Sequence, residues 1–161
     1  MNKSLRTFLS GFAVAALAIL LPAVSAQPAP SIIGMWKLNV EKSKFNGGPA
    51  PKSQTVTFAN VGDSLKVVAK IVNADGTNSE SEYTAKYGGQ DVPLKGSAIA
   101  DTVSIKQIDA LSALRTDKKG GKEVQTIKRE LAKDGKTFTA IVSGANAKGE
   151  KVTSTVLFER Q

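Results

Sequence analysis

From residue 32 onward the chain is cut into short segments by turn residues, and that rhythm constrains its fold more than any other feature. Segments 32–40, 52–60, 65–73, 78–87, 91–95, 101–108, 113–117, 123–132, 136–143 and 151–160 are rich in Val, Ile, Thr, Phe and Tyr. Between them stand Val61-Gly62-Asp63-Ser64, Asp75-Gly76, Gly88-Gly89, Gly96, Asp109, Lys118-Lys119-Gly120-Gly121, Asp134-Gly135, Gly144 and Gly149. Short β-prone runs joined by tight glycine turns predict sequential hairpins, hence an antiparallel meander of about ten strands. No segment carries a convincing amphipathic helix; 41–45 has room for one helical turn.

A meander of this length closes in one of two ways, as a sandwich or as an up-and-down β-barrel. Closure removes exposed edges, so the expected fold is all-β, an antiparallel barrel of about 8–10 strands. Alternation supports a half-buried sheet. In the last segment Val152, Ser154, Val156, Phe158 and Arg160 share a face, and in the third Leu65, Val67, Ala69 and Ile71 do. Over 123–131 the phase slips, which predicts a bulge.

The first 26 residues read differently. Lys3 and Arg6 precede an apolar run over 8–21, Pro22 breaks it, and Val24-Ser25-Ala26 supplies small residues for cleavage. The run is short for a bilayer crossing, which takes about 20 apolar residues. The expectation is a signal peptide over 1–26, a short Pro-rich leader over 27–31 and a single barrel domain over 32–161. Export follows, to the periplasm or beyond the cell. Lys3 and Arg6 leave with the peptide, which takes the net charge from +8 to +6. With no cysteine, the exported domain has only its core to hold it.

The absence of histidine and cysteine also bounds the chemistry. Ser-His-Asp and Cys-His constellations are excluded, and zinc and copper lose their usual ligands. Glu80 and Glu82 share a strand face, which reads as a solvated surface. Lys118-Lys119-Gly120-Gly121-Lys122 is a turn, not a phosphate cradle before a helix. The expected protein is non-catalytic, without metal or cofactor, and monomeric. Nucleic acid is not an expected partner, because basic residues are not interleaved with aromatics for base stacking. Arg115, Lys118, Lys119, Lys122, Lys128 and Arg129 concentrate on one hairpin. They read as a solubilising surface, or else as a patch for an anionic envelope surface.

Trp36, the sole tryptophan, shares a face of the first segment with Gly34 and Leu38. In a closed meander the first and last strands are neighbours, so Trp36 and Arg160 are expected to stack and close one end. "GMWKL" over 34–38, Phe45 beyond it, and the terminal "TVLFER" resemble the calycin pattern of lipocalins and fatty-acid-binding proteins. The opening "GMWKLN" with "KSKF", "EYTAKYGGQDVPLKG" and "ADTVSIKQID" are similar to bacterial secreted lipocalin-like proteins. The resemblance implies a lipocalin-like barrel and lipid binding. It also marks a departure: positions that hold an Arg-x-Tyr carboxylate clamp in fatty-acid-binding proteins are Val156 and Phe158 here, so a free fatty acid is not the expected ligand. The 41–51 stretch is too short for those proteins' helical lid.

The leading expectation is an exported binding protein that holds a small apolar ligand inside the barrel. Its interior wall is expected to comprise Val56, Phe58, Val67, Ala69, Tyr83, Ile105, Phe138, Ala140, Val156 and Phe158. The alternative is a barrel filled by its own side chains, acting as a surface or envelope interaction module through its loops or the basic hairpin over 115–129. Strand count separates the two, because about eight strands are filled by side chains and about ten leave room.

Overall fold

The computed structural model describes residues 30–145 and 149–161. The expected signal peptide and residues 27–29 of the leader lie outside the described residues. Ten strands form one antiparallel sheet: β1 (Gly34–Lys44), β2 (Ser53–Val61), β3 (Ser64–Val72), β4 (Asn78–Ala85), β5 (Val92–Pro93), β6 (Thr102–Gln107), β7 (Ser112–Lys119), β8 (Lys122–Leu131), β9 (Thr137–Ala145) and β10 (Lys151–Arg160). Their spatial order, β4-β3-β2-β1-β10-β9-β8-β7-β6-β5, is an up-and-down meander with the first and last strands side by side.

The ring is nearly closed at a seam between β4 and β5–β6. There Glu82 and Lys95 exchange two backbone hydrogen bonds of 3.0 Å, and Gly88 and Gly89 donate to the carbonyl of Ile105. β5 is only two residues long and includes Pro93, which has no N–H to offer a ladder. Gly96 makes the seam sterically possible. Its φ is +73°, and a Cβ there would stand 2.0 Å from the carbonyl oxygen of Glu80.

Two irregularities have readable causes. The stretch with room for a helical turn instead carries β1 on to Lys44 through a wide bulge, where the register jumps from Asn39↔Leu157 to Lys44↔Thr155. Side chains replace the lost ladder bonds: Asn39 Oδ1 accepts from Lys42 N at 2.9 Å, and Ser43 Oγ accepts from Leu157 N at 3.0 Å. The phase slip in the eighth segment is a bulge at Val124, since Asp117 pairs with Gln125 but Lys118 with Glu123. Beyond it Gln125, Ile127 and Arg129 share the inward face with Leu131.

The core gathers at the end of the barrel where β1 begins and β10 finishes. Phe138 packs edge-on against Trp36 at 5.0 Å and Phe58 at 5.9 Å, and stacks on Phe158 at 4.6 Å. Trp36 is fully buried and donates its indole N–H to Ile32 O at 2.7 Å. Arg160 pairs with Trp36 across β1 and β10 and lies 4.2 Å over its ring. Its guanidinium donates to Gly135 O at 2.7 Å, to Ile33 O at 2.8 Å and to Ser31 O. Gly34 leaves the space: a Cβ there would sit 2.9 Å from Arg160 Nη1. These contacts seal the floor.

Candidate functional site

Above that floor the barrel encloses a cavity of about 550 Å³. All ten positions expected to face inward line it, and all ten are buried. Ile71, Ile127 and Val142 extend the same apolar wall. Gly34, Trp36 and Arg160 do not reach the cavity, which suits a plug beneath it. At the other end Phe45, Pro49 and Pro51 rim the space with Asn73, Ala74 and Asp75 of the β3–β4 turn. The Asp75 carboxylate at this mouth is engaged by Thr77, whose N–H and Oγ1 both donate to it. That bonding holds Asp75 below the usual carboxylate range.

The charged part of the strand wall comes from β7 and β8, with Tyr83 of β4 beside it, and here one expectation needs correcting. Arg115 and Arg129 do not belong to an outward basic patch; both line the cavity. Arg115 lies 4.9 Å over the Tyr83 ring and forks onto Asp117, through Nε at 2.6 Å and Nη2 at 3.0 Å. Asp117 is 1% exposed and takes a third bond from Gln125 Nε2 at 3.2 Å. Burial works against the charge on Arg115, yet Tyr83 and Asp117 outweigh it and hold its proton more tightly than usual. Burial pushes the Tyr83 phenol up, against the pull of Arg115 and Arg129, so Tyr83 stays a neutral hydroxyl.

Arg129 is answered differently. Its guanidinium lies 4.8 Å over the Phe58 ring, and Nη2 donates to the Tyr87 hydroxyl at 2.8 Å. The signal for both arginines was present in the sequence. Arg129 stands at i±2 from Ile127 and Leu131, and Arg115 at i+2 from Ala113, so parity puts each on an apolar face.

The remaining cations of the hairpin lie outside. Lys118 pairs with Asp91 at 2.8 Å and Lys128 with Glu130 at 2.5 Å, while Lys119 and Lys122 are exposed. Glu80 and Glu82 face outward against Lys70, Lys66 and Lys95. Among the described residues no group of three or more His, Cys, Asp or Glu could hold a metal ion. No protein-family model matches this chain, and no curated protein is significantly similar to it. The architecture, an all-antiparallel ten-strand barrel, is compatible with a lipocalin-like fold.

Proposed function

We propose that this chain is an exported, non-catalytic binding protein of calycin type that holds a small, mainly apolar molecule inside its barrel. The observation that carries the reading is the cavity itself, about 550 Å³ with apolar walls and one rimmed mouth. That volume lies within the usual range for small-molecule sites, about 300–1,000 Å³. Binding would come from apolar area removed from water, at about 25 cal/mol per Å². The stacking of Arg160 on Trp36, at the two positions that carry the sequence resemblance, supports the calycin assignment. An interaction role for the basic hairpin is less well supported, because two of its arginines face the cavity and two of its lysines are ion-paired.

Ala69 lines the cavity with a side chain too small to fill it, so Ala69→Trp tests the reading. Phenylnaphthylamine, a neutral apolar fluorophore, should bind the wild-type protein. It should bind Ala69→Trp at least about tenfold more weakly, with no loss in melting temperature. Unchanged affinity in the variant, or no binding by the wild type, would count against the cavity as the site.

A further inference from the structure

Four arginines occur in the chain, and three of them lie among the described residues. Each has a different environment. Arg160 is capped by three backbone carbonyls, and Arg115 is neutralised by a buried carboxylate. Arg129 has neither. Among the described residues it makes no ion pair, and its only hydrogen bond goes to the Tyr87 hydroxyl. A guanidinium carries five N–H donors, so most of its hydrogen-bonding capacity is left over.

Its position makes that surplus functional. Arg129 pairs with Ala113 on β7 and Ala140 on β9, both small. The side chain therefore has room to cross the lumen and lie over Phe58 of β2. Along β8 it stands one inward step from Leu131, the partner of Phe138 in the floor cluster. Arg115 is its diagonal neighbour on the same face, about 7–8 Å away in a regular antiparallel sheet. The Asp117 fork fixes the Arg115 guanidinium against Tyr83 without using every N–H. Counted together, Arg115, Asp117 and Arg129 leave one net positive charge on the β7–β8 wall; the carboxylate in the cavity lining, Asp75, stands at the mouth and is engaged by Thr77. Arg129 is half-buried, so its guanidinium is partly withdrawn from water and favours a counter-charge that reaches it from the cavity.

We propose that the molecule held in the cavity is an amphipathic monoanion, an apolar body with one oxyanion head. It binds head-first, with the head on Arg129 near the floor and the body reaching back towards the mouth at Phe45, Pro49 and Pro51. The site replaces the clamp missing at Val156 and Phe158 with one built on β7 and β8. Tyr83, kept neutral by its burial, lines the same cavity, and the Tyr87 hydroxyl outside it holds one Arg129 N–H in place. This inference rests on the reading of the cavity as a binding site and adds its ligand class.

The test compares two probes with the same aromatic scaffold, anilinonaphthalenesulfonate and the neutral phenylnaphthylamine, by fluorescence titration of the full folded protein. Wild type should prefer the sulfonate by about ten- to a hundredfold, the usual worth of a charge-assisted hydrogen bond. In Arg129→Gln the two affinities should fall within about threefold of each other, with phenylnaphthylamine binding kept. Arg129→Met should behave alike and serves if the Gln variant melts early. Lys122→Gln, on the exposed turn, should leave both affinities unchanged, which rules out attraction by the overall basic charge. Neutral binding without any sulfonate preference, or a preference that survives both Arg129 variants, overturns the anion site and leaves the cavity reading standing. Failure of both probes to bind overturns the two together.

Discussion

Asp117 accepts three hydrogen bonds, two from the Arg115 fork and one from Gln125, while almost wholly withdrawn from water. Removing one partner of such a buried pair strands the other, which costs about 3–5 kcal/mol, whereas replacing both by apolar groups is often neutral. Arg115→Leu should therefore lower unfolding stability by about that amount, and Arg115→Leu with Asp117→Leu should recover most of it. Urea denaturation of the single and double variants reads this directly. Equal losses in the two would show that the pair does not neutralise Arg115. The same pair shows what was legible at this scale. The ten cavity positions expected from the sequence follow from alternation on segments whose phase is clear, and Trp36 with Arg160 follows from strand order. Arg115 and Arg129 were obscured by grouping charges along the chain, whereas the pleat sorts them by parity. Arg115 faces in while Lys118 and Lys128 face out, although all share one hairpin.

At the scale of elements the barrel depends on its weakest junction. Every other neighbouring pair of long strands shares a ladder, interrupted only by the bulges in β1 and β8, but β4 meets β5–β6 through the Glu82–Lys95 exchange and the contacts around Ile105. The short segments between glycines predicted the strands well, because glycine turns and alternation are local signals. The seam was not legible, since Gly96 reads locally as a turn and its close approach to Glu80 is a long-range fact. Likewise the bulge in β1 depends on Ser43 meeting β10, a partner more than a hundred residues away. Gly96→Ala must move the backbone at Glu80 or leave its positive φ, a strain of about 1–3 kcal/mol. Hydrogen exchange should then speed up at the amides of Glu82 and Lys95 while those of β9 and β10 stay protected. Uniform change across the barrel, or none at the seam, would contradict this account of closure.

For the whole molecule, the absence of histidine shapes the response to pH. Hydrogen bonds from Lys86, Thr77, Lys66, Ser112 and Asn39 respectively hold Asp63, Asp75, Glu82, Asp109 and Glu159 below ordinary values of 3.8 for Asp and 4.5 for Glu. A depressed carboxyl stabilises the fold fully above its unfolded value, and that contribution is lost as pH falls through the folded one. Tyr83 has the opposite sign: its raised phenol contributes in full below its ordinary 10.0, and that contribution is lost as pH rises from there through the higher folded value. The urea midpoint should be flat from about pH 5 to about pH 9 and decline on either side. A midpoint that moves between about pH 6 and pH 7 would point to a titrating group that this barrel does not contain. The central claim, that the barrel's interior is a binding site, is tested most directly by native mass spectrometry of the protein isolated without detergent from the cells or medium in which it is made, followed by solvent extraction. The account predicts a discrete added mass that solvent releases as a small amphipathic acid and that Ala69→Trp does not retain. A bare protein mass, unchanged after incubation with a mixed lipid and terpenoid library, would contradict it.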